Sequence, residues 1–478
     1  MVRMKSRNLS RTDSDLMLKR TLIIGITMVL FSACSSFYEV SQEFNHEFEQ
    51  GDIDQALSTL QNDKQYSKTN TKFLYYLNNG LLLSMKGQYE ESNKFFERAY
   101  LFGEDYKVNY AAEAASYFTN PMITVYRGED HEHLLPLYYK AINFLKMSRY
   151  EEALVECNRL NIRLQQLSDK YKSPDKFQRD AFIHNLMGII YQTTGDWNNA
   201  FIAYRNAYEI YEEDYMRLFG VKAPEQLKHD LLVSAWRTGF QEEFDLYKEK
   251  FGWQDFQMYP SEAELVFFWH NGLGPVKDEW NINFVIDHNR DNAVVFTNEG
   301  MGMQFPYDVD SDEKTELKDI EIIRVAVPKY VERPEYFTSA NIVMNDSVYP
   351  LQLAEDINRI AFRSLQDRMA LELSKSLLRA ALKKAAEQGA RKEDKGFGAV
   401  IGLINAMTEK ADTRNWQTLP HSISYARIPM KEGSNTINFN LNTPEGDNVE
   451  HSFTYQVKSG QTLIHTFTSL ESLPARRY

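Results

Sequence analysis

The chain has 478 residues, a formal net charge of −13, 43% hydrophobic and 13% aromatic residues. Such a composition excludes a disordered chain and suits two or three globular domains of roughly 100–200 residues each. The acidic balance excludes nucleic acid as an expected partner, because neutralising phosphates takes clustered Lys and Arg.

In chain order, the first signal is the basic pair Lys19-Arg20, then 13 mostly apolar residues from Thr21, ending in small Ser32 and Ala33 before Cys34. These are the three parts of a secretory signal peptide. The run is too short to span a bilayer core of about 30 Å. Leu30-Phe31-Ser32-Ala33-Cys34 resembles a bacterial lipobox, which implies that Cys34 is acylated and becomes the mature N-terminus. The alternatives are cleavage near Ala33 with Cys34 incidental, or an uncleaved anchor. Residues 1–16 lack an apolar core, and Met17-Leu18-Lys19-Arg20 opens a compact signal, so translation is expected to start at Met17. Residues 1–33 hold six basic and two acidic side chains, or +4, which leaves the rest near −17. Tight adhesion to anionic lipid through protein charge is therefore not expected. With Cys34 acylated, Cys157 stands alone, and the core must hold the fold without a disulfide.

Residues 34–255 read as helical pairs. Small and large residues recur at one spacing in Tyr76…Gly80…Gly87…Phe96, in Leu137…Ala141…Ser148…Cys157, and in His184…Gly188…Gly195…Tyr204. This is the tetratricopeptide (TPR) pattern, with a small residue where two helices cross and a large ring facing it. Gly87, Ser148 and Gly195 fall in the turns within each pair. Gly51 to Leu60 is a weaker copy, and Leu231 to Tyr247 keeps helical periodicity without the small residues. Copies are separated by 36, 61 and 47 residues rather than 34, so inserts are expected near Asn120-Pro121 and Lys172-Ser173-Pro174.

Character changes near Trp253. Strand-like runs follow at 264–269, 280–286, 293–297, 320–327 and 340–344, rich in β-branched and aromatic residues. Ile357 to Lys384 repeats apolar residues at helical spacing, predicting a helix over about Leu353–Gln388. A charged loop is expected at 389–395, then a short helix over Phe397–Met407. That helix is apolar on most faces, so it is expected to be buried, the alternative being a docking surface or membrane-lying segment. Strands return at 422–429, 436–441, 451–457 and 462–467. The expected fold is α+β and multidomain. A TPR-like α-solenoid precedes a mostly-β, sandwich-like domain, whose β-rich parts at 256–350 and 411–478 flank a helical insertion at 351–410.

Three strings resemble a family of bacterial lipoproteins with a TPR N-terminal half and no assigned activity. They are Asn271-Gly-Leu-Gly-Pro-Val-Lys277, Ile322-x2-Val-Ala-Val-Pro328 and Ala411-Asp-Thr-Arg-Asn-Trp-Gln-Thr-Leu-Pro420. Some relatives look to be encoded with lipoprotein activators of penicillin-binding proteins, which implies a cell-wall context. The family contributes no catalytic residue. On physical grounds, Asp412 and Arg414 can face one side and form a bidentate carboxylate–guanidinium pair. Trp416 would pack beneath them and Pro420 would end the segment, a pinned domain corner.

Candidate chemistry is thin. Glu129-Asp-His-Glu-His133 offers zinc-type donors without a fourth ligand, and helix starts favour acidic residues in any case. Asp308-x-Asp310-x-Asp312 has Glu313 where a calcium loop needs glycine. His270 lacks a matched nucleophile or carboxylate. No metal, cofactor or catalytic residue is expected. The expected function is a non-enzymatic envelope lipoprotein, most simply at the outer membrane facing the periplasm, anchored through lipid on Cys34. It would act as a TPR scaffold for a protein partner in cell-wall synthesis or outer-membrane assembly. Asn78, Ser84, Asn185, Gln192 and Thr193 would line its groove. The alternative is a surface glycan-binding lipoprotein similar to SusD-like proteins.

Overall fold

The computed structural model describes residues 41–63, 66, 68–105, 122, 124–169, 177–256, 261–290, 293–308, 321–393 and 410–475. Cys34, residues 309–320 of the acidic loop, and the expected helix Phe397–Met407 lie outside them.

Helix α1 (41–49) leads into the paired helices: α2 (Ile53–Asn62) and α3 (Lys72–Met85), then α4 (Tyr89–Asp105), α5 (Asp130–Lys146) and α6 (Tyr150–Asp169). Next come α7 (Ala181–Thr193), α8 (Trp197–Ile210), α9 (Glu225–Thr238) and α10 (Gln241–Phe251). The TPR spacing works as expected. A Cβ on Gly80 would lie 2.6 Å from the Phe96 ring, and one on Gly188 would lie 2.4 Å from Tyr204. Only glycine lets each ring seat against the neighbouring helix. In the middle pair the equivalent residues are Ala141 and Cys157, both fully buried. There a larger residue on one helix is matched by a smaller one on the other, which keeps the packed volume. The turns at Gly87, Ser148 and Gly195 are left-handed, with φ of 74°, 58° and 80°. They are the helix-ending residues of the first helix in each pair. The periodic stretch Leu231–Tyr247 resolves into the pair α9 and α10. A π-helical turn, Tyr211–Tyr215, prolongs α8 and carries two buried tyrosines.

The strands are β1 (Ala263–Asn271), β2 (Val276–Arg290), β3 (Ala293–Asn298), β4 (Met303–Asp308), β5 (Ile322–Val331) and β6 (Ser339–Met344). After them come β7 (Ser347–Pro350), β8 (Gln352–Asp356), β9 (Ser422–Met430), β10 (Gly433–Asn442), β11 (Asn448–Val457) and β12 (Thr462–Ser469). They form three four-stranded sheets, ordered β12-β1-β9-β8, β11-β10-β6-β7 and β4-β3-β2-β5. All neighbours are antiparallel except β1 and β12, which run parallel. β1 lies between strands from beyond residue 420, so the two β-rich parts of the sequence share sheets and form one body.

The first sheet is a middle layer. Val266 and Phe268 join the helical core, while alternating Leu265, Phe267 and Trp269 pack on the second sheet. This is the period of two expected of a strand buried on both faces. Helix α11 (Ile357–Glu393) covers the third sheet with Leu373, Leu377, Ala380 and Ala381.

Three expectations are corrected. Leu353–Asp356 is strand, and the helix begins at Ile357, because β8 pairs with β9. The charged stretch expected as a loop from 389 stays helical through Glu393. Pro328 does not stop β5, which continues to Val331. It sits on the edge strand of its sheet, where a missing N–H costs no ladder bond. β4, β7 and β8 went unread because they are short and carry little alternation.

Candidate functional site

The first helices of the pairs, α3, α5 and α7, make the face that is concave in a TPR stack. That face carries the predicted groove residues, and the chain's own C-terminal half fills it. Asn78 is buried, and its Oδ1 accepts a hydrogen bond from Thr418 Oγ1 at 2.9 Å. Ser84 is buried and donates to Asn143 Oδ1 at 2.6 Å, linking α3 to α5. Asn185 is fully buried. Gln192 is half-buried and accepts from Tyr204 at 2.9 Å. Thr193 is half-buried too and donates back to Ile189 O at 2.8 Å. Asn78, Ser84 and Asn185 are thus buried within the chain, Asn78 directly against the C-terminal half. They hold the chain to itself, because the sheet that follows in sequence offers a large apolar face at high local concentration.

The filling begins with the Ala411–Pro420 string. Arg414 grips Asp412 through two bonds, Nε to Oδ1 at 2.8 Å and Nη2 to Oδ2 at 2.6 Å. Its remaining nitrogen, Nη1, donates to the carbonyls of Asn70 at 2.8 Å and Thr124 at 3.0 Å. The guanidinium lies 5.2 Å from the centre of the Tyr126 ring. One side chain thus satisfies the segments leading into α3 and α5, which only a planar fork can do. Trp416 is buried between Phe96 and Tyr139, and its backbone N–H donates to Glu132 Oε1 at 2.6 Å.

The Asn271–Lys277 string lies alongside. Gly274 N donates to Leu419 O at 2.7 Å, Asn415 Nδ2 to Pro275 O at 2.9 Å, and Lys277 N to Asn415 Oδ1 at 3.2 Å. A side chain at Gly274 would meet the Leu419 carbonyl at 3.3 Å, so the close approach needs glycine. The third string is β5, paired with β2 from Val276 onward. The Ala411–Pro420 and Asn271–Lys277 strings thus meet at one seam, and the third, Ile322–Pro328, pairs with Glu279–Val285 farther along β2.

The acidic stretch Glu129–His133 starts α5 and serves this seam. Glu129 and Glu132 form a capping box. Lys277 and Arg368 clasp the buried Glu129, the latter at 3.0 Å. Burial alone would raise this carboxyl, but the two cations outweigh it and hold it down near 2. Burial and the Glu129 charge push Glu132 up to about 7. Burial lowers His131 to about 4, so its imidazole is neutral at pH 7. Among the described residues, no group of three His, Cys, Asp or Glu is placed to hold a metal ion. His270 is buried, pushed down to about 3 by burial, and bonded to Tyr138 Oη at 2.8 Å. It is a neutral core histidine at the helix–sheet contact.

A second buried cluster was not legible in the sequence. Tyr215 Oη, on the π-helical turn, lies 3.1 Å from Asp180 Oδ1 and 2.9 Å from Glu355 Oε2. Tyr211 Oη donates to Ala354 O at 2.7 Å. The π-turn aims both phenols at β8. One phenolic hydrogen cannot satisfy two carboxylates, so the pair favours a protonated carboxyl. Burial raises Asp180 to about 6, and burial with the Asp180 charge raises Glu355 well above its ordinary range. Nearby, Arg427 joins β9 to the solenoid through Asp230 at 3.3 Å and Tyr204 Oη at 3.0 Å, and pairs with Glu264 of the adjacent β1 at 2.8 Å.

No family model and no curated protein matches the sequence. Solved structures do match in part of the chain. BtubC from P. vanneervenii is 14% identical over 47% of this chain and 83% of its own, with a TM-score of 0.30. MamA from Desulfovibrio magneticus RS-1 is 15% identical over 46% of this chain and 97% of its own, with a TM-score of 0.29. The Rap conjugation gene regulator of plasmid pLS20, solved with the Phr* peptide, is 15% identical over 44% of this chain and 52% of its own. Its TM-score is 0.26.

Proposed function

We propose that the protein is a non-enzymatic, lipid-anchored scaffold of the cell envelope that presents one rigid surface to a protein partner. The carrying observation is the sealed seam: the TPR-like face and the β sandwich bury each other through Arg414, Trp416, Thr418 and Arg427. Two elements clamped this way display the outside of the solenoid and the outer strands of the sandwich in a constant relation, which is what a scaffold requires. The lipobox-like Leu30–Cys34 supports an envelope address, with acyl chains contributing about 0.8 kcal/mol per buried CH₂ to anchoring. No described helix is long and apolar enough to cross a membrane.

The test has two arms. Replacing Cys34 by Ala should move the protein from the membrane fraction to the soluble fraction. Retention of the unacylated protein in membranes would refute the anchor. Cross-linking in intact cells, followed by purification, should recover one stoichiometric partner protein. Recovery of none, with tight oligosaccharide binding by calorimetry instead, would favour the glycan-binding reading.

A further inference from the structure

Strand β12 is an outer strand of the middle sheet, with β1 on one side and, among the described residues, no strand on the other. Both of its faces are occupied: Ile464 packs toward the helices, Leu463 and Phe467 toward the second sheet. All but one of its residues nevertheless stay half-exposed, so the exposure lies along the backbone edge. Native proteins blunt such edges with Pro, charge, bulges or shortness. The other described edges show those devices. β4 carries Pro306, β5 carries Pro328 with Lys329, β7 is four residues long and ends at Pro350, β8 has a register shift between Leu353 and Glu355, and β11 carries Glu450. β12, Thr-Leu-Ile-His-Thr-Phe-Thr-Ser, carries none of them across eight residues.

A cation stands beside it. Lys146, at the end of α5, donates to Thr466 Oγ1 and lies 5.2 Å from the Tyr89 ring centre, with no carboxylate paired to it among the described residues. The surrounding cations at Lys86, Lys140 and Arg149 all have carboxylate partners. Burial lowers the Lys146 ammonium to about 8, consistent with a charge lacking its counterion. A half-buried ammonium gains most from a partner that brings a carboxylate and excludes water.

We propose that β12 is a strand-addition site for an extended segment of the partner protein, whose acidic side chain pairs with Lys146. Main-chain bonds to β12 supply affinity, and the carboxylate sets register. This rests on the scaffold reading and names its docking edge.

The probe is a set of capped ten-residue peptides of alternating Thr and Val, each with one Glu at a different position, beside Gln twins. Binding to the full-length chain is read by fluorescence anisotropy. One Glu position should bind about fivefold to tenfold tighter than its Gln twin. Lys146→Met should remove that difference while the melting temperature holds. Amide exchange should slow at 462–469 and not at 448–457. The site is refuted if no peptide binds, if protection falls on β11, if the Glu preference survives Lys146→Met, or if β12 is instead covered by a second copy in a dimer. Should the site fail while a cross-linked partner is still recovered from cells, the scaffold reading stands without this edge. Absence of any partner defeats the scaffold reading itself.

Discussion

Arg414 shows how much one side chain can decide. It is buried, ion-paired to Asp412, and donates to two carbonyls more than 50 residues apart. Arg414→Lys keeps the charge and loses the fork. We expect a loss of about 2–3 kcal/mol in urea unfolding, and about 3–5 kcal/mol for Arg414→Met, which strands the Asp412 carboxylate. A loss below about 1 kcal/mol for both would show that the string is not a structural clamp. Ser148 is the converse case. Its φ of 58° sits where Gly87 and Gly195 occupy the equivalent turns. Ser148→Gly should stabilise by about 0.5–1 kcal/mol, because relief of left-handed strain exceeds the added chain entropy. A lower midpoint in the same unfolding assay would contradict this.

The contact between the π-turn, α7 and β8 is where elements become pH-sensitive. Asp180 has a folded pKa near 6 against an ordinary value of 3.8. A raised carboxyl binds its proton more tightly in the folded state. Its contribution is therefore full below about pH 4 and is lost as pH rises through about 6, a change of up to about 3 kcal/mol. Glu129 and Glu97, held down near 2 by their cations, act the opposite way and lose their contribution only as pH falls below about 4.5. Between pH 5 and 7.5 Asp180 acts together with Glu132, raised to about 7, and Glu355, raised further, and all three lose their contribution as pH rises. Asp180→Asn keeps the N-cap of α7 and should flatten the fall in melting temperature over that range. An unchanged slope would assign the dependence to Glu132 or Glu355 instead.

At the scale of the molecule, neither half presents a finished surface by itself. The helical half buries Tyr138, Tyr139 and Phe182 beneath the sheet, and the sheet buries Phe268, Trp416 and Tyr425 beneath the helices. Expressed alone, residues 34–256 should bind a hydrophobic dye and self-associate, and mixing with residues 261–478 should restore a one-to-one complex with native amide protection. Two stable, non-associating halves would mean that the seam contributes little and that the groove can open to another protein.

Local signals in the sequence were enough for the helix pairs, the left-handed turns, most strands, and the Asp412–Arg414 pair. Each depends on residues close in the chain: Gly80 facing Phe96 across one helical hairpin, a period of two along β1, a fork two residues from its carboxylate. Chain order could not reveal what fills the TPR-like face. Asn78 and Asn185 are polar residues on a first-helix face, and their spacing is the same whether a foreign peptide or the same chain covers them. Only the tertiary structure, which brings Thr418 to Asn78 across 340 residues and β12 to the open edge of the sheet, decided that the groove is closed. Burial of the large apolar sheet face drives that closure, and such burial is a property of surfaces that do not exist until both halves have folded.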